Sequence, residues 1–116
     1  MMRTFLKSFL YAWNGIVMAL REQRNLRIHF AATVLVIVAG LYFSITATEW
    51  CILLLCIALV ISIELINSSI EDLVNLVTAE WKPQAGKIKD IAAGAVLVVA
   101  VIALIIGIII FYPYIT

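Results

Sequence analysis

Charge is scarce in this sequence. Of 116 residues, eight are Lys or Arg and seven are Asp or Glu, 13% in all, where a soluble domain carries about 25%. Proline and cysteine occur twice each, and histidine once. Each shortage excludes something. A solvent-exposed globule is excluded by the lack of charge. A disulfide framework is not expected from Cys51 and Cys56, which lie five apart in an apolar run on different helix faces; they read as small buried hydrophobes. No repeat, low-complexity tract or second domain is found, and no nucleic-acid partner is expected. The phosphate-binding P-loop is missing too. "AGK" at 85–87 lacks the earlier glycine and the following Ser or Thr of that motif; Trp81 and Ile88 stand in those places.

What fills the chain is hydrocarbon. Hydrophobic residues make up 66%, and the mean hydropathy is +1.16. Phe30 to Thr48 and Ile91 to Thr116 carry no charge, and Trp50 to Ile63 is a shorter uncharged run. A membrane-spanning helix needs about 20 residues, so three spans are expected, near 29–48, 50–77 and 87–112. The first apolar run starts near Phe30, too late for a cleaved signal peptide.

The basic residues have a pattern. All eight fall between Arg3 and Arg27 or between Lys82 and Lys89, and the 44–50 loop and the C-terminal "FYPYIT" have none. The positive-inside rule puts the N-terminus and the 80–89 loop in the cytoplasm, and the 44–50 loop and the C-terminus outside. Tyr42, Trp50, Tyr112 and Tyr114 stand where an interfacial aromatic belt is expected.

Residues 4 to 27 are too polar to span. Phe5, Phe9, Trp13, Ile16 and Leu20 recur every three or four positions, with Lys7, Asn14 and Arg21 on another face. That period predicts an amphipathic helix lying in the interface, its basic residues toward anionic headgroups. "REQRNLRIH" leads into the first span, where His29 reads as a boundary residue. "TAEWKPQAGK" links spans two and three, with Pro83 and Gly86 breaking the helices.

One stretch contradicts its surroundings: "IELINSSIEDLVN", 63–75. At about 100° per residue, Glu64, Asn67, Ser68, Glu71 and Asn75 share one face. A carboxylate in hydrocarbon costs at least about 2.5–3.5 kcal/mol, so this stripe must pair, bind a cation or do chemistry. The third span opens with Lys87, Lys89 and Asp90, and Gly94 among alanines suits close helix approach. Carboxylates for a divalent metal, lysine for phosphate and a carboxylate as base are the needs of phosphoryl transfer. Composition and spacing alone leave a cation-coupled transport subunit equally open.

"ELINSSIEDLVN" resembles the E-x-x-N-S/T-A-I-E-x-x-x-D signature of the prokaryotic diacylglycerol kinase and undecaprenol kinase family. "KIKDIAAGAVL" resembles its K-D-x-A/G-A-A-V-L segment, "YAWNG" its N-terminal motif, and "RNLRIH" and "ATEW" the undecaprenol kinase branch. The likeness covers essentially the whole chain. It implies an all-α membrane protein with an N-terminal surface helix and three transmembrane helices, assembled as a homotrimer in the bacterial cytoplasmic membrane. It implies transfer of the γ-phosphoryl of MgATP to the hydroxyl of a lipid alcohol, diacylglycerol or undecaprenol. By the same likeness Glu64 is the general base and Asn67 positions it or the substrate. Glu71 binds the metal, and Lys89 binds phosphate. Asp90 contacts nucleotide and orients nearby groups; Tyr11, Glu80, Trp81 and Lys82 contact nucleotide.

Two positions depart from the family. Gln23 replaces its second metal-binding glutamate, and Asn75 replaces the final aspartate of the signature. Both changes lower the negative charge available to a metal. Glu22, beside Gln23, is expected to point about 100° away on a helix. The retained residues imply an active kinase that leans on Glu22 and the ATP phosphates. The alternative is a catalytically attenuated member that binds nucleotide or lipid in a membrane assembly.

Overall fold

A computed structural model describes all residues, 1–116, as four α-helices without strands. Helix α1 runs Met2–Glu22, α2 Arg24–Phe43, α3 Ala47–Val77 and α4 Pro83–Ile115. The last three are each long and apolar enough to cross a membrane.

Two boundaries differ from expectation. The first helix ends at Gln23, whose backbone is extended (φ −107°, ψ 111°), not after Arg27. The reason is a side-chain cap. The last carbonyls of a helix lack intrahelical donors, and the Arg27 guanidinium donates to Leu20 O at 3.0 Å and Arg21 O at 2.9 Å. Leu26, fully buried, plugs the junction. The second difference is at Pro83, which opens α4 instead of breaking a helix. A first-turn proline loses no hydrogen bond and has its φ preset. Gly86 lies within that same helix, under the Trp81 indole.

The α2–α3 turn is tightly specified. Ser44 adopts left-handed backbone (φ 52°). Ser44 N–H donates to Leu41 O and Ile45 N–H to Gly40 O, at 3.4 and 3.2 Å, the paired bonds that close a helix C-terminus around a left-handed residue. Helix α3 then starts with reciprocal capping. Glu49 N–H donates to Thr46 Oγ1 at 3.2 Å, and Thr46 N–H to Glu49 Oε1 at 2.9 Å. The Tyr114 hydroxyl donates to the same Glu49 oxygen, tying α4 to this end of α3.

The apolar core sits beside this turn. Ile45, Leu53 and Ile110 are buried there, with Phe43, Trp50 and Phe111 against them. Close approach of helices occurs at Gly40, where a Cβ would lie 2.7 Å from the Trp50 ring. Gly94, expected to serve that purpose, faces open space, although neighbouring Ala92 is buried. Both cysteines are free thiols, but Cys51 is exposed, not buried, because its helix face turns outward. The chain measures 51 × 43 × 21 Å. Its thin dimension is about two helix diameters, so few residues are enclosed and most large apolar side chains face outward.

Candidate active site

The polar face of α3 lies at the end of the bundle away from that core. Glu64 is 2% exposed, Asn67 8% and Ser68 5%, so the three charged or polar side chains that the fold buries are consecutive members of one helical stripe. Counting about 20 residues from Ala47 reaches Ile66. Glu64 and Asn67 therefore stand near the far end of a span-length stretch of α3, and Glu71 and Asn75 stand past it.

Each group has a distinct environment. Ser68 Oγ is satisfied within the helix, donating to Glu64 O at 3.0 Å. The Glu64 carboxylate meets His29 of α2, with Nε2 3.7 Å from Oε2. Asn67 Oδ1 is buried with no hydrogen-bond donor. An unsatisfied buried acceptor costs about 1–3 kcal/mol, so this oxygen awaits a donor or a cation. Glu71 is half-buried one turn further on. Lys89 Nζ donates to Asn75 Oδ1 at 2.7 Å, bringing α4 onto the lower part of the stripe.

A cleft of about 290 Å³ separates α1 from α3. Glu22, Gln23, Ser68, Ser69 and Asp72 line it. Glu22 and Gln23 thus face the same space. The helix ends here, at Glu22, and Gln23 is its extended C-cap. Tyr11, Glu80, Trp81, Lys82 and Asp90 are exposed, and none of them lines this cleft.

No three carboxylate, imidazole or thiolate groups gather tightly enough to cage a metal. Magnesium does not require that: one or two carboxylates with substrate phosphates and water complete its shell. Glu71 and the donor-less Asn67 oxygen, one turn apart, are hard oxygen ligands of the right kind.

Sequence reasoning passed over two features. His29 stands five residues into α2, as a boundary residue does, but its pairing with Glu64 is not anticipated: it lies fourteen residues before the end of α2 at Phe43, and Glu64 seventeen after the start of α3 at Ala47. Antiparallel neighbours at similar distances from their turn lie at similar depth, and that count was available. Asp72 falls outside the stripe and carried no signal; only the seating of α1 reveals it.

A profile of the family described as prokaryotic diacylglycerol kinase matches residues 10–111. The chain is 44% identical over 109 residues to an undecaprenol kinase of Bacillus subtilis, covering 94% of this chain and 89% of that protein. It is 42% identical over 103 residues to a diacylglycerol kinase of Synechocystis, covering 88% of this chain and 59% of that longer protein. A diacylglycerol kinase of Escherichia coli is 28% identical over 95 residues, 82% of this chain and 78% of that one.

Proposed function

The chain belongs to the prokaryotic diacylglycerol kinase family, and on that premise we propose that its buried polar stripe transfers the γ-phosphoryl of ATP to the hydroxyl of a membrane lipid alcohol. The protein is a lipid kinase. The observation that carries the assignment of the site is the burial of Glu64 beside the donor-less Asn67 oxygen; by the residue count along α3 this reading puts them at the hydrocarbon boundary. A lipid hydroxyl resides at that depth, and a base must stand within about 2.6–3.2 Å of the proton it removes.

In this reading the lipid oxygen attacks the γ-phosphorus as the bond to the bridging oxygen of ADP breaks, and Glu64 takes the hydroxyl proton. Asn67 orients the hydroxyl or the base. Lys89, now paired with Asn75, turns to the phosphates when nucleotide arrives. Asp90, Tyr11, Glu80, Trp81 and Lys82 surround the nucleotide. Glu71 would hold Mg²⁺ together with the ATP phosphates, and the ion would supply neutralisation of phosphate charge; Gln23, which borders the α1–α3 cleft that Glu71 does not line, would be at most a weak neutral neighbour.

The lipid is undecaprenol or diacylglycerol, and the relative of highest identity among those named favours undecaprenol. Helix α1 lies along the membrane surface, with none of its residues buried in the chain. The assembly is a homotrimer in the bacterial cytoplasmic membrane, N-terminus inside and C-terminus outside. The supporting observations are the polar stripe that one chain leaves partly uncovered, with Glu71 half-buried and Asn75 exposed, and the placement of the basic residues.

The test is ATP-dependent phosphorylation of diacylglycerol and undecaprenol, side by side in mixed micelles, across a Mg²⁺ titration, with Gln23→Glu in parallel. Phosphorylated lipid is expected from the wild-type chain. Gln23→Glu is expected to reach half-maximal rate at about tenfold lower Mg²⁺, because it adds a carboxylate to the site. A wild-type chain that phosphorylates neither lipid, at any Mg²⁺ concentration, would overturn the assignment.

A further inference from the structure

A second cleft, of about 340 Å³, lies among α2, α3 and α4. Its walls are almost wholly apolar and include Val36, Val60, Ala100, Leu104 and Gly107; His29 is the one ionisable side chain of α2 among them. The volume and character are those of a small-molecule site, a mostly hydrocarbon hollow with a few placed polar groups. Glu64 is not part of its wall. His29 is, and its Nε2 faces the Glu64 carboxylate at 3.7 Å. One imidazole therefore joins the hydrocarbon cleft to the buried acid.

We propose that His29 is a positioning residue: it lies between the cleft and the buried acid and anchors one oxygen of the Glu64 carboxylate, so that the other stays free for the hydroxyl of a long-chain lipid alcohol whose chain occupies the cleft. This rests on the kinase reading above and deepens it. A carboxylate at the end of a glutamate side chain rotates, and a base is useful only when its free oxygen stays within hydrogen-bond reach of the proton. His29 is the basic side chain that meets this carboxylate, and its own side chain is only 23% exposed. The separation exceeds a formed hydrogen bond. Catalytic contacts are often long without substrate and shorten when it binds. Ser68 engages only the backbone carbonyl of Glu64, so it cannot orient the carboxylate.

The test compares wild type, His29→Phe and His29→Gln in the micelle assay, with kcat and lipid KM measured separately. Phe keeps an aromatic ring but has no N–H. Gln places a side-chain N–H about where Nε2 stands. His29→Phe is expected to lower kcat about 10- to 100-fold, the usual effect of removing a group that orients a functional ligand. Lipid KM is expected to stay within about threefold, since the lost interaction belongs to the transition state. His29→Gln is expected to recover most of kcat. A wild-type kcat in His29→Phe overturns the proposal, and so does a His29→Gln variant as slow as His29→Phe. A double-mutant cycle of His29→Phe with Glu64→Leu, read from thermal midpoints in detergent, is expected to be non-additive; strict additivity overturns the pairing. The cycle requires no turnover. If the wild-type chain phosphorylates neither lipid, the kinase reading fails while the cycle still decides the pair.

Discussion

Glu64 and Asn67 sit one turn apart, yet they bear different burdens. Glu64 has a partner in His29; Asn67 keeps a buried oxygen with none. Replacing an unsatisfied polar group by an apolar one of similar shape is neutral or stabilising. Asn67→Leu is therefore expected to leave the thermal midpoint unchanged or raised, while kcat falls. A lowered midpoint in differential scanning would show that Asn67 is structural. Glu64→Gln removes the proposed base without changing shape and is expected to lower kcat by about 10²–10⁴. That loss is read against an unchanged nucleotide affinity. Most of this site was legible in one line of sequence, because a helix converts spacing directly into a shared face. The partner of His29 and the place of Asp72 were not, since their neighbours come from other helices.

Among the elements, the α2–α3 turn carries the sharpest packing constraint. A methyl at Gly40 would meet the Trp50 ring at 2.7 Å. Overpacking of this kind costs about 1–3 kcal/mol, so Gly40→Ala is expected to lower the unfolding midpoint in a denaturant titration in micelles. Ser44 is the opposite case. It holds a positive φ (52°) where glycine is at ease, and Ser44→Gly is expected to be neutral or stabilising by up to about 1 kcal/mol in the same titration. The reciprocal Thr46–Glu49 cap fits the T-x-x-E form before an apolar run, a signal that the reading of the sequence passed over, and its reach to Tyr114 lies outside any local pattern. Helix α1 is cut short by Arg27, a contact six and seven residues back in the chain that no periodicity announces.

At the scale of the molecule, a slab 21 Å thick encloses only part of its polar stripe: Glu64, Asn67 and Ser68 are buried, while Glu71 is half-buried and Asn75 exposed. Phe5, Leu35, Leu59, Leu97 and Ile109 are among many apolar side chains left outside. Lipid covers such faces as readily as protein does, so the polar groups supply the argument for assembly. Detergent-corrected mass by light scattering is expected to give three copies of the 12.9 kDa chain. A monomer that phosphorylates lipid would show that one chain suffices.

The three spans, the sidedness of charge and the Glu64–Asn75 stripe follow from the order of residues, because hydropathy and helical period are local properties. Chain packing alone set three other features: the helix break that turns Glu22 and Gln23 into one cleft, the Lys89–Asn75 contact, and the seat of His29 against Glu64. Each joins residues on different helices or across a cap. Their proximity depends on how the backbone turns and where a side chain finds room, and neither is written in the spacing of any one helix.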